Sequence, residues 1–407
     1  MRPVLVLIFH ATAPTGAGPL VRALAEARRA LAERQRIAFL AAGADAAEIV
    51  ARPPDGLTFG ERLAAALTAR GGAKAGGGAK AGGGARAGGG ASGAASGGLI
   101  VLGSGSIPLA TAADRGRFVA AAAGPGGYAL ANNRYSADVV AVSRAADLAN
   151  LPPLPADNAL PRWLEERTGV AVSDLGSRWR LGVDVDTPLD LIVLGDPAGV
   201  ALLAAAPLVG ERLEELAEVA TNRRAELLVA GRVSAATLTW LQRGVECRVR
   251  ALVEERGLRA ASRLAQRDGE AGGATLLRAA AATPRVTPRA TPRSPRSVLG
   301  ELLDRDGPES LALAVSRLAD AAVVDTRVLM AHRFGADEAA WPVAEDRFAS
   351  DLLLPQSVSD PWLRALTRSA AGRESPATPS TPILLGGHTL VNGGLRLLAQ
   401  RARAGRP

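Results

Sequence analysis

Short aliphatic runs alternating with longer stretches of helical periodicity constrain this chain more than any other feature. Residues 4–9 (VLVLIF) and 98–102 (GLIVL) are apolar runs of strand length, and 36–42 (RIAFLAA) reads as another strand between them. Residues 19–33 and 59–69 carry apolar side chains at helical spacing. Strands alternating with helices predict an α/β chain with a parallel, doubly wound sheet covered on both faces. After residue 196 the pattern restarts. Residues 200–220 read as helices, 226–230 (ELLVA) as a strand, 235–243 as a helix and 247–253 as a strand. The runs 320–328 (DAAVVDTRV) and 382–385 (PILL) are apolar and flanked by helical stretches. The expected organisation is one α/β domain over residues 1–195 and a second over 200–407.

Composition narrows the chemistry. The chain has 407 residues, enough for two or three domains, and 48% of them are hydrophobic, so each half can bury a core. Aromatics are only 3%, which leaves the core to Ala, Leu and Val. A lone cysteine, Cys247, excludes an intramolecular disulfide and any Cys-based metal cage, and it reads as an inert buried thiol. With three histidines in all, a metal here would take oxygen ligands. The net charge of +8 bears on solubility and non-specific association, not on fold. Aromatic-plus-basic clusters of the kind that bind single strands are absent, so nucleic acid is not an expected partner. No apolar run approaches the roughly 20 residues of a membrane span. The opening run 4–9 falls below a signal peptide's usual core of about 7–15 residues. A cytoplasmic protein without a membrane partner is expected.

Three segments interrupt the α/β pattern. Residues 71–98 are a Gly/Ala repeat that holds both lysines, Lys74 and Lys80, and nothing in it offsets its ordering entropy. Residues 283–296 repeat Thr-Pro-Arg, which favours an extended linker. Residues 374–381 (ESPATPST) form a short polar loop.

The richest motif of the first half is residues 182–191, GVDVDTPLDL. At strand spacing Asp184 and Asp186 point to one face. Thr187 then suits a helix N-cap and Pro188 the first helical position. Two carboxylates beside a helix N-terminus suit a hard cation bridging phosphate oxygens; they equally suit a plain strand end and helix cap.

This string resembles the D-x-D-T-P-x-D-L signature of MobA-like nucleotidyltransferases, the group that includes molybdopterin nucleotidyltransferases and the phospholactate or phosphoenolpyruvate guanylyltransferases. Residues 130–142 (LANNRYSADVVAV), 157–170 (DNALPRWLEERTGV) and 101–111 (VLGSGSIPLAT) resemble further segments of that group, over residues 1–195 only. The resemblance implies a GT-A-like fold of the nucleotide-diphospho-sugar transferase type: a Rossmann-like, mostly parallel sheet. It also implies Mg2+-dependent transfer of a nucleotidyl group from a nucleoside triphosphate to a small phosphorylated acceptor, with release of pyrophosphate. Carried over by position, Asp186 and Asp184 are the metal-binding and catalytic carboxylates, and Arg22 supplies charge in the opening loop. Gly103, Ser104 and Ser106 line the loop after the third strand, and Asn132, Asn133 and Ser136 meet nucleotide or acceptor. Ser106 stands where the family carries a metal-binding Asp, and no lysine lies outside the Gly-rich repeat. A second reading is therefore a catalytically degenerate nucleotide- or metabolite-binding protein.

The residue types leave these roles open. Asn132 and Asn133 suit a base edge or a turn. Asp138, at the start of an expected strand, suits either a ligand contact or a structural role. In the second half, Arg232 and Ser234 follow one strand, and Gly387 and His388 follow another before a helix. Such turns can face an anion. With Asp325, Arg327 and His332 they could line one pocket at the carboxyl ends of a parallel sheet. Asp346, Arg347 and Asp351 read as a solvated helix face. A third reading makes this second domain the active one.

Overall fold

The computed structural model describes residues 2–71, 97–254, 296–372 and 381–404. The Gly-rich repeat from 72, the Thr-Pro-Arg repeat up to 295 and most of the polar loop at 374–381 lie outside the described residues. The chain divides into two compact units, Met1–Ala205 with Asn392–Leu397, and Ala206–Val391 with Leu398–Pro407.

The first unit is a six-stranded mixed sheet, built from β1 (Val4–Ala11), β2 (Ala46–Arg52), β3 (Gly98–Gly103), β4 (Tyr128–Ala131), β5 (Val139–Val142) and β6 (Ala171–Asp174). The order is β2-β1-β3-β5-β4-β6, with β5 antiparallel to both its neighbours and the other pairs parallel. Successive side chains leave opposite faces of a strand, so β1 feeds two cores. Val4, Val6 and Ile8 pack with Phe39 and Phe118, whereas Leu7 packs with Leu63, Leu160 and Leu164. Helices α1 (Pro19–Ala41) and α3 (Ala112–Ala123) cover the first face, and α2 (Phe59–Gly71) covers the second. This double covering explains why the strands read as continuous apolar runs rather than alternating ones.

Residues 36–42, expected as a strand, are instead the last turns of α1 and its C-cap, Ala42. No Gly or Pro interrupts the chain before Gly43, and Leu24, Ala27, Leu31, Gln35 and Phe39 fall on one buried stripe. The second strand is AAEIVAR, an edge strand whose pattern is weak because only one neighbour and half-buried side chains hold it. Residues 157–168 form a broken helical stretch, with one α-helical turn at Leu160–Trp163 between 3-10 and π geometry.

Helices α4 (Pro188–Leu194) and α5 (Pro197–Ala205) close this part of the chain. Among the described residues no single helix is long and apolar enough to cross a membrane, and the α4–α5 pair is bent by 115°.

The second unit has a four-stranded sheet, all parallel, in the order β10-β9-β7-β8: β7 (Glu226–Gly231), β8 (Arg248–Val253), β9 (Ala321–Asp325) and β10 (Ile383–Gly386). β7, β9 and β10 are almost wholly buried. Around them lie α6 (Pro207–Ala220), α7 (Ala235–Gly244), α8 (Val298–Asp306), α9 (Leu311–Ser316), α10 (Thr326–Phe334), α11 (Ala344–Asp351) and α12 (Pro361–Ala371). Cys247 is buried, and burial pushes its thiol up to about 11. It therefore stays protonated, a packing residue.

Candidate functional site

Polar groups gather at the carboxyl ends of β1 and β3. The Ser104 amide donates to the Phe9 carbonyl at 2.8 Å, and Ser104 Oγ lies 3.1 Å from His10 Nδ1. Ser106 Oγ turns inward and accepts the Gly103 N–H at 3.1 Å. Ser106 also pairs with Asp184 in an isolated antiparallel bridge, and the Val185 amide donates to the Gly105 carbonyl at 2.9 Å. A Cβ at Gly105 would sit 2.6 Å from the Val185 oxygen, so this close approach requires glycine. Gln35, buried on α1, donates to the carbonyls of Ser106 and Ile107, both at 3.0 Å, and accepts from Arg115 Nε at 2.9 Å. That bracket holds Ile107 at φ 45°, a backbone conformation costing a β-branched residue about 1–3 kcal/mol.

The bridge carries the DVDTP turn onto the loop after β3. Asp184 alone makes a strand-like pairing, and the strand end expected at Asp184 and Asp186 is reduced to that single bridge. Asp186 is exposed, at 62%, and its Oδ1 accepts from Arg28 at 2.6 Å, while Arg28 Nε donates to the Val185 carbonyl. Arg22 donates instead to the Ala17 carbonyl. The cation at Asp186 thus comes from the middle of α1, where the sequence shows only one arginine among several. His10 is held below the ordinary histidine range, first by burial and then by Arg29 and Arg28, which leaves a neutral imidazole against Ser104 at neutral pH.

Thr187 caps α4 as expected, with Pro188 at its first position, and Asp190 completes the box: its Oδ2 accepts from the amides of Thr187 at 2.7 Å and Asp186 at 2.9 Å. Burial, and next the Asp186 charge, push the Asp190 carboxyl up to about 7. The folded state then holds a proton that the unfolded chain releases near pH 4, so this contribution is complete below that pH and disappears as pH rises through about 7. Wild-type protein should therefore lose thermal stability between pH 5 and pH 8. Asp190→Asn, which mimics the neutral acid, should lose less; equal losses in melting curves would contradict the assignment.

Asn132 has no capacity left for a nucleobase. An amide offers two N–H donors and two acceptor lone pairs. Asn132 Nδ2 donates to Asp138 Oδ2 at 2.8 Å and to the Leu181 carbonyl at 2.7 Å, and its Oδ1 accepts from the amides of Asp138 and Val139. Asn133 Oδ1 accepts from the Tyr135 and Ser136 amides, which makes it a turn residue with Ser136 exposed beside it. Burial, then Asp157, and further on Asp186, push the Asp138 carboxyl up to about 7. Asp138 and Asp186 therefore share one electrostatic neighbourhood. Among the described residues, no three His, Cys, Asp or Glu side chains converge as a ready-made metal site.

In the second unit, Ser234 caps α7 by accepting the Thr237 amide, and Arg232 grips Asp325 with two hydrogen bonds, at 2.6 and 3.1 Å. Gly387 is buried against Arg327, and the exposed His388 depresses the Asp325 carboxyl, though less than Arg232 and Arg327 do. His332 is elsewhere, at the far end of α10: its Nδ1 accepts the Ser297 amide at 3.0 Å, so Nε2 carries the proton toward Asp304, also at 3.0 Å. Its ring nitrogens are thus engaged with Ser297 and Asp304, five residues along α10 from Arg327. Residues 344–351 are not a solvated face. Asp346 accepts the amides of Ser359 and Asp360, and Asp351 is fully buried against Arg327. Charged residues at helical spacing hide this, because only their partners on other elements distinguish a buried carboxylate from a solvated one.

No family model, curated protein or solved structure matches this chain.

Proposed function

We propose that the first unit is a nucleotidyltransferase-like domain that moves a nucleotidyl group from a nucleoside triphosphate to a small phosphorylated acceptor. The Ser106–Asp184 bridge carries this reading, because it sets the DVDTP turn on the loop at the carboxyl ends of β1 and β3. Open α/β sheets bind ligands at that edge. Asp184 and Asp186 offer the oxygen ligands a magnesium ion needs, and the ion would supply charge neutralisation for the triphosphate. The Arg28–Asp186 pair is no obstacle: exposed ion pairs are worth only about 0–1 kcal/mol. Once released, Arg28 would present its guanidinium to a phosphate oxygen, as a planar fork rather than as a lysine point charge.

The inward-turned Ser106 hydroxyl favours a second reading, a protein that binds nucleotide without turning it over, since a donor the resemblance implies as carboxylate is neutral and already engaged. Full-length protein incubated with each nucleoside triphosphate, magnesium and a panel of phospho-acids should release pyrophosphate. Asp186→Ala should lower that rate about 100-fold or more, the scale of a lost transition-state charge contact. Absence of release with every pair, or release unaltered in Asp186→Ala, would overturn the catalytic reading. Thermal stabilisation by nucleotide that ignores magnesium would then favour binding alone.

A further inference from the structure

The first unit holds a cleft at the edge of its sheet opposite the Ser106–Asp184 bridge. Its lining comes from two stretches, 146–152 after β5 and 163–168 before β6. Val142 ends β5 beside Leu99 near the start of β3, and Ala171 begins β6 beside Tyr128 at the start of β4. The bridge instead follows the carboxyl end of β3. The cleft has a volume of about 540 Å3. That falls within the roughly 300–1,000 Å3 of small-molecule sites and far exceeds what a single water needs.

The walls are fixed by backbone contacts. Gly60 of α2 donates its amide to the Leu154 carbonyl at 3.0 Å. A Cβ at Gly60 would lie 2.1 Å from the Pro152 oxygen, so only glycine lets α2 grip the loop that carries Pro152. The second stretch departs from α-helical geometry. After the turn Leu160–Trp163, residues Leu164–Thr168 form a single π-helical turn, ended by Gly169 at φ 71°. Such turns are rare and occur frequently at functional sites. Thr168 Oγ1 donates to the Leu164 carbonyl at 2.5 Å and closes the turn, and Trp163 packs half-buried on the core that holds Leu63, Leu160 and Leu164.

Two polar groups of this lining are left open. Among the described residues, neither the Trp163 indole N–H nor the Asn150 amide has a hydrogen-bond partner. Asp147, by contrast, is held by Arg144 at 2.8 Å. An indole offers a donor only, whereas an amide both donates and accepts. Open donors beside the Pro152 ring suit a flat apolar body that ends in acceptor oxygens. A carboxylate is the strongest such end, because charge-assisted hydrogen bonds are about twice as strong as neutral ones. The exposed Arg167 sets a guanidinium on the same lining.

We propose that this cleft binds a small aromatic carboxylate, its ring on Pro152 and its oxygens accepting from the Trp163 indole N–H and the Asn150 amide. The proposal is independent of the nucleotide reading, which concerns the opposite edge of the sheet.

Ligand-observed NMR titration of the full chain with naphthoate, without magnesium and at constant ionic strength, tests it. Wild-type protein should bind naphthoate, and should bind naphthamide, of the same shape without the charge, about tenfold more weakly. Asn150→Ala should weaken naphthoate binding about tenfold without lowering the melting temperature, since that side chain makes no hydrogen bond among the described residues. Trp163→Phe, which keeps a ring and removes the N–H, should weaken it about fivefold or more. Leu313→Ala trims an exposed apolar side chain of the second unit and should leave the affinity unchanged. Absence of naphthoate binding by the wild type would overturn the proposal, as would naphthamide bound equally tightly. Affinity retained in either Asn150→Ala or Trp163→Phe, or lost in Leu313→Ala, would overturn it as well.

Discussion

Replacing Asn132 by alanine should destabilise the first unit by about 3–5 kcal/mol, because each buried group left unpaired costs about 1–3 kcal/mol and this side chain satisfies several. Its amide bridges the turn between β4 and β5 to the Leu181 carbonyl, and two amides of that turn close on its oxygen. The substitution would also leave Asp138 without the amide donor that opposes its burial. Denaturant unfolding read on the first unit's transition checks this. A loss below about 1 kcal/mol, the scale of a single ordinary hydrogen bond, would mean that the amide is not spent internally. The same experiment bears on function. Were Asn132 reading a base edge, the variant would keep its stability and lose nucleotide affinity, and the opposite outcome is expected.

Asp351→Ala should cost the second unit about 3–5 kcal/mol, the price of leaving one buried charge alone. Arg327 is only 9% exposed and has its forked contact with Asp351, so truncation strands a guanidinium between β9, β10 and α11. The double variant Arg327→Met with Asp351→Leu should recover most of that loss, since apolar packing replaces a buried pair at little net cost. A double variant no more stable than Asp351→Ala would show that the pair contributes more than mutual neutralisation. Chemical denaturation of wild type, single and double variants provides the cycle.

Both predictions concern residues whose surroundings no sequence spacing reveals. Asn132 and Asn133 are adjacent and chemically identical. One is a buried bracket with all four hydrogen-bonding positions filled and the other an exposed turn residue. Arg22 and Arg28 lie on one helix, and the contact with Asp186 falls to Arg28 because Asp186 is delivered by a segment more than 150 residues away. The apolar content of 36–42 suits a strand, but the run from residue 19 to Gly43 holds no breaker to stop α1, and the helix continues through it.

From the amino-acid order alone came the α/β class, most strand and helix positions in both halves, the Thr187–Pro188 helix start and the buried thiol of Cys247. These follow from local rules: apolar period, capping chemistry and the spacing of breakers, each settled within a few residues. Tertiary structure alone decided which charges are buried, which arginine meets which carboxylate, and that Ser106 lies beside Asp184. Electrostatic and hydrogen-bonding fates depend on groups brought together from distant segments, and desolvation, absent from any linear pattern, fixes what each of them can do.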